Sequence, residues 1–592
     1  MKKVVAFLVL VSIMVSNIVF QGYFVSAENV VETMAEVGEN TNNYNKLHFY
    51  FGDESYSTID DLTELNQALQ DVRESSSLAR STETTYVTLQ YKSEYFRTQT
   101  YLNFKEERKT LTTQSQIESF RNRLKAYSDE YHADLLEQFD VSDINEYFQI
   151  IEFKKTKYSP FVVCEVEPST ISIDGLSSLI ELDNIEHISI SPECEFENDA
   201  SWADILDCIN ATEIVSNSSY TGDGIKIGVF EYGYRYHSSN ENFLDKNIIN
   251  NAQMLQDLDY HATMVTSIVT LIAPEAEIYF DNFKEQDEVS LEWFIDNNCD
   301  IVNCSFGQKT SSYRYDIDGL YDYQIAGHFL TVVKSSGNVD GGTTNITSPG
   351  YAHNVIVVGG VSKGSYGWSY HYNARYSLNA LEAKPLVSAP YYVNVPNVGT
   401  DGGTSYAAPQ VAAGCGLIME ANPSYRLFPE KIMSVLAASA KKTYNYSATV
   451  NHFDDKVGAG VFDLEAALSA TLLYETTNYY EPPIKRNVEI ASLNISGFAE
   501  EILQVSLAWN VQVDSYEDDY YTNCSYLTDY NLKVYDPYGY LLYETTLIAN
   551  NVEMVRVTLP GSATYRVVIY QEGEIHEDNS GDYLCLSYTK YN

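Results

Sequence analysis

Basic residues are scarce in this chain of 592 residues: 37 Lys and Arg stand against 82 Asp and Glu, for a formal net charge of −45. The acidic excess is spread along the chain rather than gathered in one tail. Phosphates would be repelled by such a surface, which argues against sequence-independent nucleic-acid binding. A solvated acidic face accounts for the charge; structural calcium would also fit it, with no ligand singled out by the sequence. CxxC pairs and zinc-ligand spacings are absent among Cys164, Cys194, Cys208, Cys299, Cys304, Cys415, Cys524 and Cys585, so no structural zinc is expected. Internal repeats are lacking too, and no apolar run beyond residue 20 is long enough to span a bilayer.

What is present begins with Met1-Lys2-Lys3, an apolar run at 4–20 and Val25-Ser26-Ala27. A basic start, an apolar stretch and a small-residue site make residues 1–27 a secretory signal peptide, cut after Ala27. Left uncut, the same run would be a membrane anchor. The expectation is a secreted protein, free or held at the cell surface, without a membrane span after cleavage. Disulfides are permitted in such a chain, and Cys524 with Cys585 is the first pair to test. The alternative reading makes the cysteines small buried hydrophobes.

With 44% hydrophobic and 20% charged residues the chain is globular, and its length calls for roughly three to four domains. Residues 28–84 are polar and expected to be loosely structured. Strand-like alternation at 86–91 (YVTLQY), helical periodicity at 114–136, strands at 147–153 and 161–166, a helix at 173–182 and a strand at 185–190 give the order βαββαβ. That order predicts a ferredoxin-like α/β domain over 85–200. Between 201 and 475, short apolar strands at 225–230, 276–280, 301–303, 330–334 and 355–359 alternate with helices, the pattern of a mostly parallel, doubly wound α/β sheet. Working residues of such sheets sit beyond the carboxyl ends of the strands. From 485 to 592, alternating runs at 531–535, 553–559 and 565–570, broken by turns such as Asp536-Pro-Tyr-Gly539, predict an antiparallel β-sandwich.

Chemistry concentrates in the middle region. GGTSYAAPQVAAG (402–414) sets Ser405 at the head of a small-residue helix, where its hydroxyl is exposed to the positive end of the dipole. A serine nucleophile needs a base, and the base needs an orienting group. His261, in DYHATMVTSIV (259–269), begins a helix-like run. Glu231 follows the apolar run KIGVF (226–230), where a strand gives way to Gly233.

These motifs, with IVNCSFG (301–307), SSGN (335–338) and SPGYAHNV (348–355), resemble the subtilisin-like serine proteases (subtilases) over about residues 201–475, in the chain order acid, His, Asn, Ser. The resemblance implies a serine endopeptidase with Ser405 as nucleophile and His261 as general base and then acid. Asn338 becomes a donor to the oxyanion, a contact worth about 10²–10³ in turnover. Ser305, Phe306 and Gly307 would offer strand edge to an extended peptide. No cofactor is required. The resemblance also implies that 85–200 is a propeptide that chaperones folding and blocks the cleft, cut from the rest around 194–201. Two departures stand out: Glu231 where subtilases have Asp, and Ala262 where they have Gly after the histidine. Glutamate keeps the charge but is one methylene longer, and a misplacement of about 1 Å costs roughly 10² in rate. A pseudo-protease or adhesin that only binds protein is the rival. Asp257 and Asp259 precede His261 too closely to orient it and read as surface carboxylates.

Overall fold

The structure is a computed structural model that describes most of residues 85–137, 149–166, 184–191, 209–282, 287–378, 383–479, 487–512, 527–572 and 581–591, with two short strands upstream and isolated residues between these ranges. The signal sequence, most of the expected 173–182 helix, the 194–201 cleavage region, Cys194, Cys208 and Cys524 lie outside the described residues.

Alternation in the N-terminal third produces strands β1 (Leu47–Phe51), β2 (Glu54–Tyr56) and β3 (Thr85–Tyr91), then helices α1 (Gln99–Glu107) and α2 (Gln114–Leu136), then strands β4 (Ile150–Lys155), β5 (Phe161–Val166) and β6 (Ile185–Ser191). They form one sheet in the order β2-β1-β6-β3-β5-β4, with β1 parallel to β6. The expectation of loose structure throughout 28–84 is corrected by β1 and β2. The string LHFYF is rich in β-prone aromatics and finds a free neighbour in β6. Helix α2 starts at a capping box in which Thr113 and Gln116 satisfy each other's backbone donors. Its apolar stripe, Ile117, Phe120 and Leu124, faces the rest of the protein.

The central region runs through β7 (Lys226–Phe230), β8 (Ile248–Asn250), helix α3 (Tyr260–Ile272), β9 (Glu277–Asp281), helix α4 (Asp287–Asp296), β10 (Ile301–Cys304), β11 (Gln308–Lys309), helix α5 (Asp318–His328), β12 (Thr331–Ser335), β13 (Thr347–Ser348), β14 (Ile356–Gly364), β15 (Gly367–Tyr370), β16 (Val387–Pro390) and helices α6 (Thr404–Ala421) and α7 (Pro429–Ser439), and is built on one 8-stranded sheet. Its order is β15-β14-β12-β10-β7-β9-β8, with β16 beside β14. All pairings are parallel except β14 with β15, while β11 and β13 form a separate antiparallel pair. Both faces are covered, which is why these strands read as continuous apolar runs. Ile227, Val229, Ile301 and Val333 pack against α3, α6 and α7. Phe230, Val302, Cys304 and Val332 pack against α4 and α5. At Gly228 a β-carbon would come within 2.8 Å of Phe294, so glycine is what lets α4 approach.

Downstream, one four-stranded antiparallel sheet (Thr471–Tyr479, Gly581–Tyr591, Ile502–Ala508, Val552–Thr558) and another (Val488–Gly497, Ala563–Gln571, Tyr530–Tyr535, Leu541–Glu544) share a core built around Trp509, Leu532, Val567 and Leu586. Cys585 is buried in this region, and its pairing with Cys524 lies outside the described residues. Its neighbours are aromatic and apolar, Phe428 and Tyr583 among them, and it behaves as a small hydrophobe.

The three regions meet in one cluster. Phe104 and Phe120 from α1 and α2, Phe329 after α5, Phe428 before α7 and Tyr583 of the last strand form a common core. Within it the Arg108 guanidinium lies 4.1 Å from the Phe329 ring centroid and 4.3 Å from that of Phe428. The same guanidinium pairs with the buried Glu430 carboxylate at 2.6 Å.

Candidate active site

Parallel register lines up the carboxyl ends of three neighbouring strands. Phe230 pairs with Cys304 and Cys304 with Lys334, so Glu231, Ser305 and Ser335 occupy the next row, side by side. The expected site residues all lie along or above this row.

His261 sits in the first turn of α3. Asp259 is the N-cap of that helix, and its carboxylate accepts the His261 backbone N–H. The reading of Asp259 as a mere surface carboxylate is therefore corrected: it fixes the backbone of His261 and adds negative potential beside the ring. Asp257 is exposed, as expected. The Glu231 Oε2 lies 2.7 Å from His261 Nδ1, with Glu231 only 1% and His261 3% exposed. The longer side chain thus reaches the imidazole without overshoot, from a backbone whose N–H is held by the Asp281 carbonyl at 2.9 Å. Ala262 is buried in the core between α3 and the sheet, where its methyl is accommodated.

Burial raises the proton affinity of the Glu231 carboxyl, and His261 offsets only part of that. Burial alone would strip the proton from His261, but the Glu231 carboxylate outweighs it and holds the imidazole above the ordinary 6.5. The two share a proton along one hydrogen bond and titrate as a unit. The other Glu231 oxygen, Oε1, is buried with no hydrogen-bond partner among the described residues.

Ser405 is the second residue of α6 and fully buried. Its hydroxyl donates to the Ser305 carbonyl at 3.2 Å rather than to His261. His261 is nevertheless at hand, its ring 5.3 Å from that of Tyr406. Pro409 lies inside α6 and has no N–H to offer the carbonyl four residues back, which belongs to Ser405. The Ser305 hydroxyl fills that place, donating to Ser405 O at 2.8 Å while accepting from Asn303 Nδ2 at 2.9 Å.

Asn338 follows the turn at Gly337, whose φ of 104° needs glycine. The Asn338 Oδ1 accepts from the Thr404 backbone at 3.0 Å, and Thr404 Oγ1 accepts from Gly337 N at 3.0 Å. With its oxygen committed, the amide must present Nδ2 elsewhere. That nitrogen is buried and makes no hydrogen bond among the described residues. In the first turn of α6 the Thr404 N–H is taken by Asn338 Oδ1 and the Tyr406 N–H by Gly403 O, and the Ser405 N–H between them has no helical residue four back to bond. The arrangement offers donors to an anionic oxygen above Ser405.

Ser305, Phe306 and Gly307 leave the row between β10 and β11. Phe306 packs edge-on to Phe230 at 4.7 Å, and β11 pairs with β13. Opposite, Asp318 accepts Ser348 Oγ at 2.6 Å and the backbone N–H groups of Tyr351 and Ala352 at 3.1 Å. Asp322 likewise holds His353 and Asn354, and burial pushes its carboxyl up to about 7. The SPGYAHN stretch is a loop clamped by two carboxylates of α5. Sequence reasoning missed Thr404, Asp318 and Asp322; their only signal was position within the helix-start and helix patterns. Among the described residues no group of three or more His, Cys, Asp or Glu is placed to hold a metal ion, and no helix is long and apolar enough to cross a membrane.

Residues 210–460 match the family model described as "Subtilase family". Subtilisin E of Bacillus subtilis (strain 168) is 24% identical over 235 residues, covering 35% of this chain and 59% of that protein, which is less than two thirds of its length. Alkaline elastase YaB of Bacillus sp. (strain YaB) is 22% identical over 344 residues, covering 55% of this chain and 82% of its own. Among solved structures, fervidolysin of Fervidobacterium pennivorans, described as a keratinolytic enzyme related to subtilisin, aligns at 14% identity and a TM-score of 0.44, covering 86% of this chain and 96% of its own. The resemblance read in the motifs is shared by the whole central segment.

Proposed function

From a subtilase-like segment at 210–460, we propose that the protein is a secreted serine endopeptidase made as a zymogen. The observation that carries this reading is the buried 2.7 Å contact between Glu231 and His261, whose ring lies 5.3 Å from that of Tyr406, the residue after Ser405, together with an Asn338 amide nitrogen that is buried and makes no hydrogen bond among the described residues. Ser405 Oγ attacks the scissile carbonyl carbon and its proton passes to His261. Glu231 orients the ring and stabilises the imidazolium, and Asn338 Nδ2 with the Ser405 N–H takes the negative oxygen. Collapse breaks the C–N bond as His261 returns the proton to the amine. Water then hydrolyses the acyl-enzyme by the same route reversed. The chemistry needs no metal or cofactor; calcium, if bound, would be structural.

Residues 85–200 act as the propeptide, inhibiting in cis until cut. Ser405, His261 and Asn338 are each no more than about 5% exposed, so something must move before a protein chain can enter, which supports a zymogen. Residues 485–592 stabilise the enzyme or bind substrate.

Labelling the purified secreted protein with a fluorophosphonate tests the core of the proposal. A stoichiometric adduct that disappears in Ser405→Ala is expected. The rival, a protein-binding pseudo-protease, is favoured by the Ser405 hydroxyl pointing to Ser305 O, and absence of any Ser405-dependent adduct would decide for it.

A further inference from the structure

Tyr406 stands next to Ser405 in α6 and is fully buried. Its hydroxyl donates to Asp401 Oδ2 at 2.7 Å, and burial together with that carboxylate pushes the phenol well above its ordinary value, so it stays the donor. Asp401 is half-buried on a hairpin of two short strands, β17 (Tyr392–Val395) and β18 (Gly399–Gly402), in which it pairs with Val393. The same hairpin reaches the other helix of the site. At Gly399 a β-carbon would stand 2.7 Å from the hydroxyl of Tyr260, the residue before His261. One hairpin therefore touches the neighbour of the base and the neighbour of the nucleophile.

The contact between Tyr406 and the base gives this arrangement a use. Glu231 grips the His261 ring at its edge, through Nδ1, and a glutamate has one more rotatable bond than an aspartate with which to let that edge wander. A single hydrogen bond at the edge also leaves the ring free to roll about it. The Tyr406 ring, 5.3 Å away and inclined at 43°, blocks that motion, and Asp401 keeps the Tyr406 ring from turning aside. An imidazolium formed there meets an aromatic ring that attracts cations, the more so because its hydroxyl is bonded to a carboxylate.

Resting on the endopeptidase reading above, we propose that Tyr406, tethered by Asp401, is a positioning residue for His261: it fixes the plane of the imidazole and steadies the ring while it carries the Ser405 proton. The carboxylates that bear on the ring are Glu231, Asp259 and Asp401, and the phenols beside it are Tyr406 and Tyr260. Burial drives His261 toward its neutral form, and the three carboxylates drive it back. Asp259 acts from the start of the same helix, whereas Asp401 arrives from a separate hairpin and acts both through space and through the Tyr406 phenol. The longer acid at 231 is matched by a second hold from elsewhere in the chain.

Titration of His261 followed by NMR in the Ser405→Ala protein needs no catalysis and so separates this inference from the reading beneath it. Tyr406→Leu and Asp401→Asn should each lower the proton affinity of His261 by about threefold or more, the second although its amide oxygen still accepts the phenol. In the protein that keeps Ser405, Tyr406→Leu should slow fluorophosphonate labelling by about tenfold, and Tyr406→Phe, which restores the ring, should recover most of that loss. An unmoved His261 midpoint in either variant overturns the proposal even where labelling slows, because a merely structural role would leave the midpoint alone. Lowered midpoints without any labelling of the unmutated protein leave the hold on His261 standing and overturn the proteolytic reading alone. Should Tyr406→Leu fail to fold, Asp401→Asn decides by itself.

Discussion

Ser305 and Ser405 exchange hydrogen bonds in both directions: the Ser405 hydroxyl donates to Ser305 O at 3.2 Å, and the Ser305 hydroxyl donates to Ser405 O at 2.8 Å. The second bond replaces the one that Pro409 cannot make. Ser305→Ala leaves a buried carbonyl unsatisfied at the nucleophile, which costs about 1–3 kcal/mol. The expected outcome is a lower unfolding midpoint in denaturant together with slower fluorophosphonate labelling. An unchanged midpoint and rate would show that the exchange does not position Ser405.

Glu231→Gln removes the charge that holds the His261 pKa up. The base must be neutral to accept the Ser405 proton, so in the natural protein the acid limb of the labelling rate should lie above pH 6.5, the ordinary imidazole value. In Glu231→Gln burial acts without its counterweight, and the acid limb should move to lower pH while the plateau rate falls by about 10⁴. Glu231→Asp keeps the charge and should keep the acid limb where it is. Rate against pH for the three proteins is the measurement, and an unmoved limb in Glu231→Gln would remove Glu231 from the mechanism.

Asp300 is a buried carboxylate between Arg121 of α2, at 2.9 Å, and Arg426 before α7, at 2.6 Å. Burial disfavours its charge, but the two arginines more than compensate and hold its pKa below 3.8. A depressed pKa means stability that is present above the unfolded value and lost as pH falls through the folded one. Asp300→Asn should therefore cost about 3–5 kcal/mol near neutrality. The gap between the two proteins should close below pH 3.8, as followed by chemical denaturation.

His132 of α2 and His328 of α5 meet across Ser128, whose hydroxyl lies 3.3 Å from His132 Nδ1 and 3.2 Å from His328 Nε2. Burial lowers both imidazoles to about 3, so they stay neutral when folded but protonate near 6.5 when unfolded. Lowered histidine values make stability full above 6.5 and let it drain away as pH falls toward about 3. The double change to Gln should flatten the dependence of the unfolding midpoint on pH between those limits. In the natural protein, hydrogen exchange in α2 should accelerate first on acidification.

Much of this was written in local pattern. The helix at Gln114–Leu136 and the strand at Phe161–Val166 fall on the residues that periodicity marked, and the central strands lie within a residue or two at their starts. Those elements are amphipathic or fully apolar, so burial and period agree. Helix α1 was not anticipated: its buried apolar residues, Tyr101 and Phe104, are few, and its place depends on aromatic partners more than two hundred residues away, such as Phe329. The motifs marked Glu231 and His261, which meet at 2.7 Å, and Asn338, which accepts from the Thr404 backbone at 3.0 Å. The part played by the Thr404 hydroxyl was not marked, since it accepts from Gly337 N only once the fold has brought the two together.

The cluster in which Arg108 stacks on Phe329 and Phe428 while pairing with Glu430 joins the N-terminal helices to both later regions by non-covalent contacts. A cut between Ser191 and Ser201 would leave every one of those contacts in place. Maturation would then change the number of polypeptides without changing the number of particles: a denaturing gel would count two chains, and a native mass spectrum would weigh one.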